Sequence, residues 1–152
     1  WLSKDLNTPL YLASMGLIFF SIGGIFANLF SNSLINLFSE KVIGCYFVMI
    51  GAMIMFLALL TNNFYIILIV FGIYGFTIAN FVPIIIRQAV KQSNESIPMT
   101  VTNLITIGLS STMIMPAGLG FLAERYSLTL NMYLLSFAVF ACAIIFLFNF
   151  NE

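Results

Sequence analysis

The chain is a succession of long apolar runs separated by short polar connections, and this pattern restricts it to very few folds. A helix needs about 20 mostly apolar residues to cross a bilayer, because the hydrocarbon core is about 30 Å thick. Because the runs are continuous and do not alternate, the strands of a membrane barrel are not expected. We therefore predict an all-α, polytopic transmembrane bundle in a single domain, residues 1–152. Its five spanning helices are predicted at residues 9–37, 42–60, 64–90, 99–123 and 128–150.

Charge is too scarce for the chain to cover a surface that faces water. Only 7% of the residues are charged, and the mean hydropathy is +1.12. A soluble domain carries about 25% charged residues, so the outer surface is expected to face the lipid bilayer. The formal net charge is zero without a basic block, which argues against nucleic acid as a partner. The chain has no His, and Cys45 and Cys142 lie inside apolar runs. We therefore expect no cofactor, metal site or disulfide framework.

The cations predict the orientation of the chain in the membrane. Five spans place the two chain ends on opposite sides. Lys41, Arg87 and Lys91 then share one side with the C-terminus, and Lys4 and Arg125 lie on the other. Because cytoplasmic loops are enriched in Lys and Arg, we predict a cytoplasmic C-terminus, in a bacterial inner membrane. Arg87 lies about 35 Å along its helix, at the far interface, where a long cation reaches water.

Polar residues are unevenly distributed among the five spans. The second and fifth spans are almost free of them, so we expect both to face lipid over most of their circumference. The other three carry polar stripes at helical spacing, and each includes one amide: Asn28, Asn80 or Asn103. An amide in hydrocarbon costs free energy unless it is paired, so it faces either a neighbouring helix or a wet cavity. Helix packing and a polar path through the bundle are therefore both open.

Two prolines fall inside predicted spans. Pro83 lies in the third span and Pro116 in the fourth. Because proline removes a backbone hydrogen bond and bends a helix, we expect both helices to be interrupted. Bent helices are common where transporters gate, but they also occur in membrane proteins that transport nothing.

Two stretches of the chain, in this order, match signatures of a known family. Residues 32–41, NSLINLFSEK, lie at the end of the first span and in the connection after it, and they fit the pattern Gly-x-Leu-x-Asp-Arg-Phe-Gly-Arg-Arg at Leu34, Phe38 and Lys41. Residues 115–124, MPAGLGFLAE, fit Gly-Pro-x-x-x-Gly-x-Leu-x-Asp except at the first glycine, which is Met115 here, and at the last position, where Glu124 replaces Asp. These patterns resemble the major facilitator superfamily of secondary transporters. There, the first pattern is a cytoplasmic loop signature and the second ends the eleventh helix.

The resemblance covers nearly the whole chain and implies helices eight to twelve of a twelve-helix fold. The third span, with Gly72, Gly75 and Pro83 ahead of Arg87, resembles the tenth helix. The sugar-porter and fucose-permease branches are the most similar. Helices two to six would show the same loop pattern, because the two halves are related by a repeat, so that register is an alternative. The acid and first arginine of the loop signature are replaced here by Asn36 and Leu37, so the family's cytoplasmic charge network is not expected in its usual form.

The resemblance implies transport of a small polar solute by alternating access, with the missing N-terminal half as partner. Alone, this fragment should not transport. Substrate would bind near the midplane through neutral side chains, namely Asn28, Tyr74, Thr77, Asn80, Asn103 and Thr106. Bending or gating would involve Pro83, Pro116, Gly118 and Gly120. All acids lie at predicted membrane edges, so proton coupling, which uses an ionisable group within a span, is expected elsewhere or not at all.

A second hypothesis is a small helical membrane protein that acts as a scaffold or assembly subunit without transport. Aromatic and small-residue faces would serve that role equally well. The length of the native chain distinguishes the two, because a carrier needs about seven more spans upstream of Trp1. An enzyme is not expected, because the sequence has no His, no acid within a span and no Cys beside a base.

Overall fold

The computed structural model describes Leu2 and residues 8–150, without the side chains of Leu10 and Asn32. Lys4, Asp5 and Glu152, which the sequence places at membrane edges, lie outside the described residues. Within the described ranges the chain forms helices only, and five helical stretches are long and apolar enough to cross a membrane. The protein is thus an all-α, polytopic membrane bundle, as predicted. Its elements are α1 (Leu10–Leu37), a π-helical segment (Val42–Phe47) continuous with α2 (Val48–Leu60), α3 (Phe64–Ala79), α4 (Phe81–Gln92), α5 (Ile97–Arg125) and α6 (Leu128–Phe148).

Backbone contact joins α1 to α3, which form the most extensive helix pair of the bundle. Glycines allow the two helix backbones to come this close. A Cβ on Gly23 would collide with the carbonyl oxygen of Gly72, and a Cβ on Gly75 with the carbonyl oxygen of Phe20. Membrane helices gain little from hydrophobic association, because lipid tails are as apolar as their side chains, so close packing holds them together. The small residues of the first and third spans therefore pack helices.

The second span lies inside the bundle and is the most buried of the five, with 50% of its apolar window covered. It packs against α3 on one side and α6 on another. Its own small residues allow this, because a Cβ on Gly51 would collide with Thr77 of α3, and Ala52 and Ala58 are also buried. The expectation that this span faces lipid over most of its circumference is therefore wrong. An all-apolar helix suits a protein interior as well as it suits lipid.

The third span is interrupted at Asn80, as the proline in this span predicted. Pro83 has no N–H to offer to the carbonyl of Ala79, so the hydrogen-bond ladder cannot continue. The backbone N–H of Asn80 turns to the Ile78 carbonyl, and its side-chain Nδ2 donates to the carbonyl of Phe76 at 3.3 Å. The side chain of Asn80 thus replaces a backbone donor at the break between α3 and α4.

The fourth span is a single helix that is held only near its ends. α5 runs through Pro116 without interruption, so the break expected there is wrong. The helix packs on α4 and α6, the elements that precede and follow it. Of its 29 residues only Thr100 is buried. This polar span, whose amide was expected to face either a neighbouring helix or a wet cavity, is therefore the most exposed of the five.

Candidate functional site

The six side chains predicted to bind a solute lie on three separate helices. No hydrogen bond joins members of this set that lie on different helices, within the part of the chain that the structure describes. Half of the set is exposed and half is buried or half-buried. Asn28 lies on α1, Tyr74, Thr77 and Asn80 lie on α3 or at its end, and Asn103 and Thr106 lie on α5.

Thr77 and Tyr74 take part in helix packing. The Thr77 hydroxyl donates to the Tyr74 carbonyl at 2.9 Å, and the side chain lies against Gly51 of α2. Tyr74 is half-buried, with its ring centroid 6.3 Å from that of Phe20 on α1. Both residues thus favour the packing interpretation that the sequence left open.

Asn103 and Thr106 bond within the helix that carries them or to the loop before it. The Asn103 amide donates to the carboxylate of Glu95 at 3.3 Å, and the Thr106 hydroxyl donates to the carbonyl of Thr102 at 2.8 Å. Asn103 is six residues beyond Ile97, where α5 begins, which places it about 9 Å along the helix. It lies closer to the membrane edge than to the midplane predicted for a substrate site.

The remainder of the α5 surface is also open. Ser110 and Ser111 donate to carbonyls four residues earlier, at 2.8 and 2.9 Å, so neither hydroxyl needs a partner from another helix. A Cβ added at Gly108, Gly118 or Gly120 would meet nothing within 4 Å. These glycines differ from those of the α1–α3 contact, where the neighbouring backbone is already in place.

Asn80 is the member of the predicted set that combines deep burial with an unpaired atom. It is 1% exposed, and its Oδ1 has no partner among the described residues. Ile84 and Gln88 follow on the same face of α4 and are also buried, and the Oε1 of Gln88 is likewise unpaired. An unpaired buried acceptor is costly. The two acceptors are eight residues apart, about 12 Å along a helix, and both are enclosed by protein, as is the unpaired Oδ1 of Asn131.

Charged groups converge at the end of the bundle that the sequence predicts to be cytoplasmic. Glu40, between α1 and the π-helical segment, accepts hydrogen bonds from Arg87 Nη1 at 2.7 Å and Lys91 Nζ at 3.2 Å. Gln88 Nε2 donates to the same carboxylate at 3.5 Å. The sequence grouped the two cations on one side but did not pair them with Glu40. Their four-residue spacing places both on one helix face, but it does not identify the acid that they bind.

The pKa of Glu40 reflects competing influences. Burial, the largest single one, raises it. The hydrogen bonds and positive charges of Arg87 and Lys91 together lower it further than burial raises it, so the net pKa lies below its ordinary value. The carboxylate is therefore ionised at neutral pH, and the three-residue ion cluster is intact there. We call these residues, Glu40, Arg87 and Lys91, the Glu40 cluster.

Asn131 is a structural residue that the site prediction did not include. It lies at the start of α6, is 6% exposed, and its Nδ2 donates to the carbonyl of Leu119 on α5 at 2.7 Å. This bond ties the two helices together beside their connection. An amide in an otherwise apolar span was its only signal in the sequence.

No three His, Cys, Asp or Glu side chains converge into a metal site among the residues that the structure describes. Comparisons with protein families, curated proteins and solved structures find no match for the chain. Function is therefore inferred from the residues and their geometry alone.

Proposed function

We propose that this chain is part of a secondary transporter of the major facilitator type and that the whole protein moves a small polar solute by alternating access. The observation that carries the proposal is α5. It is a spanning helix with a polar stripe that includes Asn103 and Thr106, yet only Thr100 is buried. A helix of this kind fits the inner wall of a larger bundle, where a second half would cover the stripe.

The third span supplies the moving part in this proposal. α4 is separated from α3 by the break at Asn80, and at its other end Arg87 and Lys91 bind Glu40. In this proposal the short helix, with a hinge at one end and an ionic contact at the other, moves between two positions, as gating requires. Because α4 leads directly into α5, its movement would carry the polar stripe with it.

Asn80 is the preferred solute contact in this proposal, because it belongs to the polar stripe of the third span and its buried Oδ1 has no partner among the described residues. Asn28 and Asn103 are exposed and would meet the solute only once the missing half encloses them. Burial of these amides against a solute would satisfy them in the low-dielectric interior. No acid is expected among the solute contacts, so coupling to protons, if present, would use the missing half.

Uptake by the full native polypeptide in proteoliposomes tests the proposal. A panel of neutral polar solutes should identify a substrate, and Asn80→Ala and Asn103→Ala should each reduce its uptake at unchanged protein level. Asn149→Ala is the matched control, because the amide of Asn149 lies exposed at a helix end and bonds only to Ile145 of the same helix. If both test variants transport normally, the proposed solute site is wrong. A fluorescent C-terminal fusion in bacterial cells would check the proposed membrane and orientation.

The alternative is an assembly subunit without transport, and the same exposed α5 surface favours it. The two functions differ in the length of the native product. Blotting of source membranes with an antibody against the 91–98 loop should give a band near two and a half times the mass of this chain, 16.9 kDa, if the carrier proposal is right. A band at the mass of the chain itself would refute the carrier and leave the assembly subunit.

A further inference from the structure

An open apolar groove runs along the exposed side of the contact between α1 and α3. Its volume is about 530 Å³, and all of its lining residues are apolar. Its floor lies where Gly23 and Gly72 bring the two backbones together, and Phe26, Phe30 and Phe76 form its walls. The rings of Phe26 and Phe30 are stacked, with centroids 6.4 Å apart. A groove of this composition offers a surface for hydrocarbon and almost no polar surface for a solute.

Helical register leads from this groove to the Glu40 cluster. Thr77, Ile84 and Gln88 are all buried and are spaced by seven and four residues, so α3 and α4 keep one register across the break. The residue directly before each of these three lies on the neighbouring face. These preceding residues are Phe76, which belongs to the groove wall, Pro83 and Arg87, and they are also spaced by seven and four. Pro83 and Arg87 are both exposed. The face that carries the groove on α3 therefore ends at Arg87 on α4.

The Glu40 cluster presents positive charge to its surroundings. The acid is covered, with 17% of its side chain exposed, whereas 49% of Arg87 and 54% of Lys91 remain exposed. Arg87 uses only Nη1 in its bond to Glu40 and has further donors to offer. Eleven residues separate Phe76 from Arg87, which is about 16 Å along a helix. That distance is about the hydrocarbon thickness of one leaflet.

We propose that the groove and the Glu40 cluster together bind one anionic phospholipid. Its phosphate lies against Arg87 and Lys91, and the end of one acyl chain lies between α1 and α3. Basic clusters at the cytoplasmic interface bind anionic headgroups, and each cation near the surface contributes about 1 kcal/mol. The apolar groove holds the acyl chain at the depth in the bilayer that the position of the headgroup requires. The site does not depend on transport and would equally belong to an assembly subunit.

Native mass spectrometry of the full native polypeptide, released from detergent, tests the headgroup contact. The probes are dioleoyl phosphatidylglycerol and dioleoyl phosphatidylcholine, which have identical chains. We expect preferential retention of phosphatidylglycerol, and a loss of about five-fold for each of Arg87→Gln and Lys91→Gln. Glu40→Gln removes the acid and should increase retention. Arg125→Gln, which neutralises an exposed cation at the opposite end of the bundle, is the matched control and should change nothing.

A second pair of variants tests the acyl-chain contact. Ile73 lines the groove and is 42% exposed, whereas Ile66 lies on the same helix outside the groove and is 43% exposed. Ile73→Trp fills the groove and should lower the retention of phosphatidylglycerol several-fold, whereas Ile66→Trp should leave it unchanged. Thermal unfolding midpoints of all variants establish that each one is folded.

Four outcomes would overturn the proposal. Equal retention of the two lipids, or retention that survives neutralisation of both cations, would remove the headgroup contact. Displacement of phosphatidylglycerol by inorganic phosphate, with no effect of Ile73→Trp, would reduce the site to one for a free anion. A dimer that Ile73→Trp abolishes would mean that a second copy of the chain occupies the groove.

Discussion

Replacement of Gly23 by alanine tests whether backbone contact holds α1 against α3. The new Cβ would collide with the Gly72 carbonyl oxygen and lie 2.9 Å from both the Gly72 carbonyl carbon and the Phe76 nitrogen. Ordinary van der Waals contact begins near 3.4 Å. All three neighbours are backbone atoms, so no change of rotamer relieves the overlap. The helices must separate and lose dispersion contacts along their interface. We expect the free energy of unfolding to fall by about 1–3 kcal/mol, the usual cost of overpacking.

Gly108→Ala is the matched control for this substitution. It makes the same chemical change within a long helix, but a Cβ at Gly108 meets nothing within 4 Å. Alanine favours a helix over glycine by up to about 1 kcal/mol. The control should therefore be neutral or slightly stabilising, so only Gly23→Ala is expected to lower the free energy of unfolding.

The assay is unfolding of the native polypeptide in mild detergent by titration with sodium dodecyl sulfate, followed by circular dichroism. The midpoint should fall for Gly23→Ala and stay or rise for Gly108→Ala. If Gly23→Ala is as stable as the wild type, or if both variants lose the same stability, the close α1–α3 contact does not hold the bundle together.

Three further predictions concern the polar contacts. Because the pKa of Glu40 is lowered, its contribution to stability is complete above its ordinary value of 4.5 and is lost as the pH falls through the lower folded value. As the pH is lowered through this range, the free energy of unfolding should therefore fall less for Glu40→Gln than for the wild type. Pro83→Ala should restore a donor for the Ala79 carbonyl and raise the free energy of unfolding by about 1 kcal/mol. An unchanged midpoint in detergent unfolding would contradict this. Asn131→Ala should lower the free energy of unfolding by about 0.6–1.5 kcal/mol, because the hydrogen bond to the Leu119 carbonyl is lost. The same unfolding in detergent measures this change.

Helix positions could be predicted from the sequence because the bilayer sets the length of an apolar run. The second span, residues 42–60, begins and ends as predicted, and α5 extends only two residues beyond the predicted limits at each end. The break in the third span was also predictable, because Pro83 removes a donor whatever surrounds it. Pro116 carries the same chemistry but lies within a continuous helix. Membrane helices tolerate proline where other groups or small adjustments satisfy the freed carbonyl.

The arrangement of the helices could not be predicted in the same way. In water, hydrophobicity tells which face is buried. In a bilayer, lipid is as apolar as the protein interior, so an apolar helix carries no signal of its neighbours. The buried second span shows this, because the informative feature was the fit of Gly51 to Thr77 and not its hydropathy. The bond between Glu40 and Arg87 joins residues 47 positions apart, and no local pattern specifies that pairing.

The hydroxyl groups of α5 have a consequence for how the protein is made. α5 has the lowest mean hydropathy of the five spans. However, each hydroxyl of Thr106, Ser110, Ser111 and Thr112 donates to a carbonyl three or four residues earlier. A hydroxyl engaged within its own helix enters hydrocarbon at much lower cost than a free one. During synthesis, α5 can therefore leave the translocon as a single helix and remain in the bilayer before α6, the helix that follows it, has been made. Its packing against α6 can then follow insertion rather than accompany it.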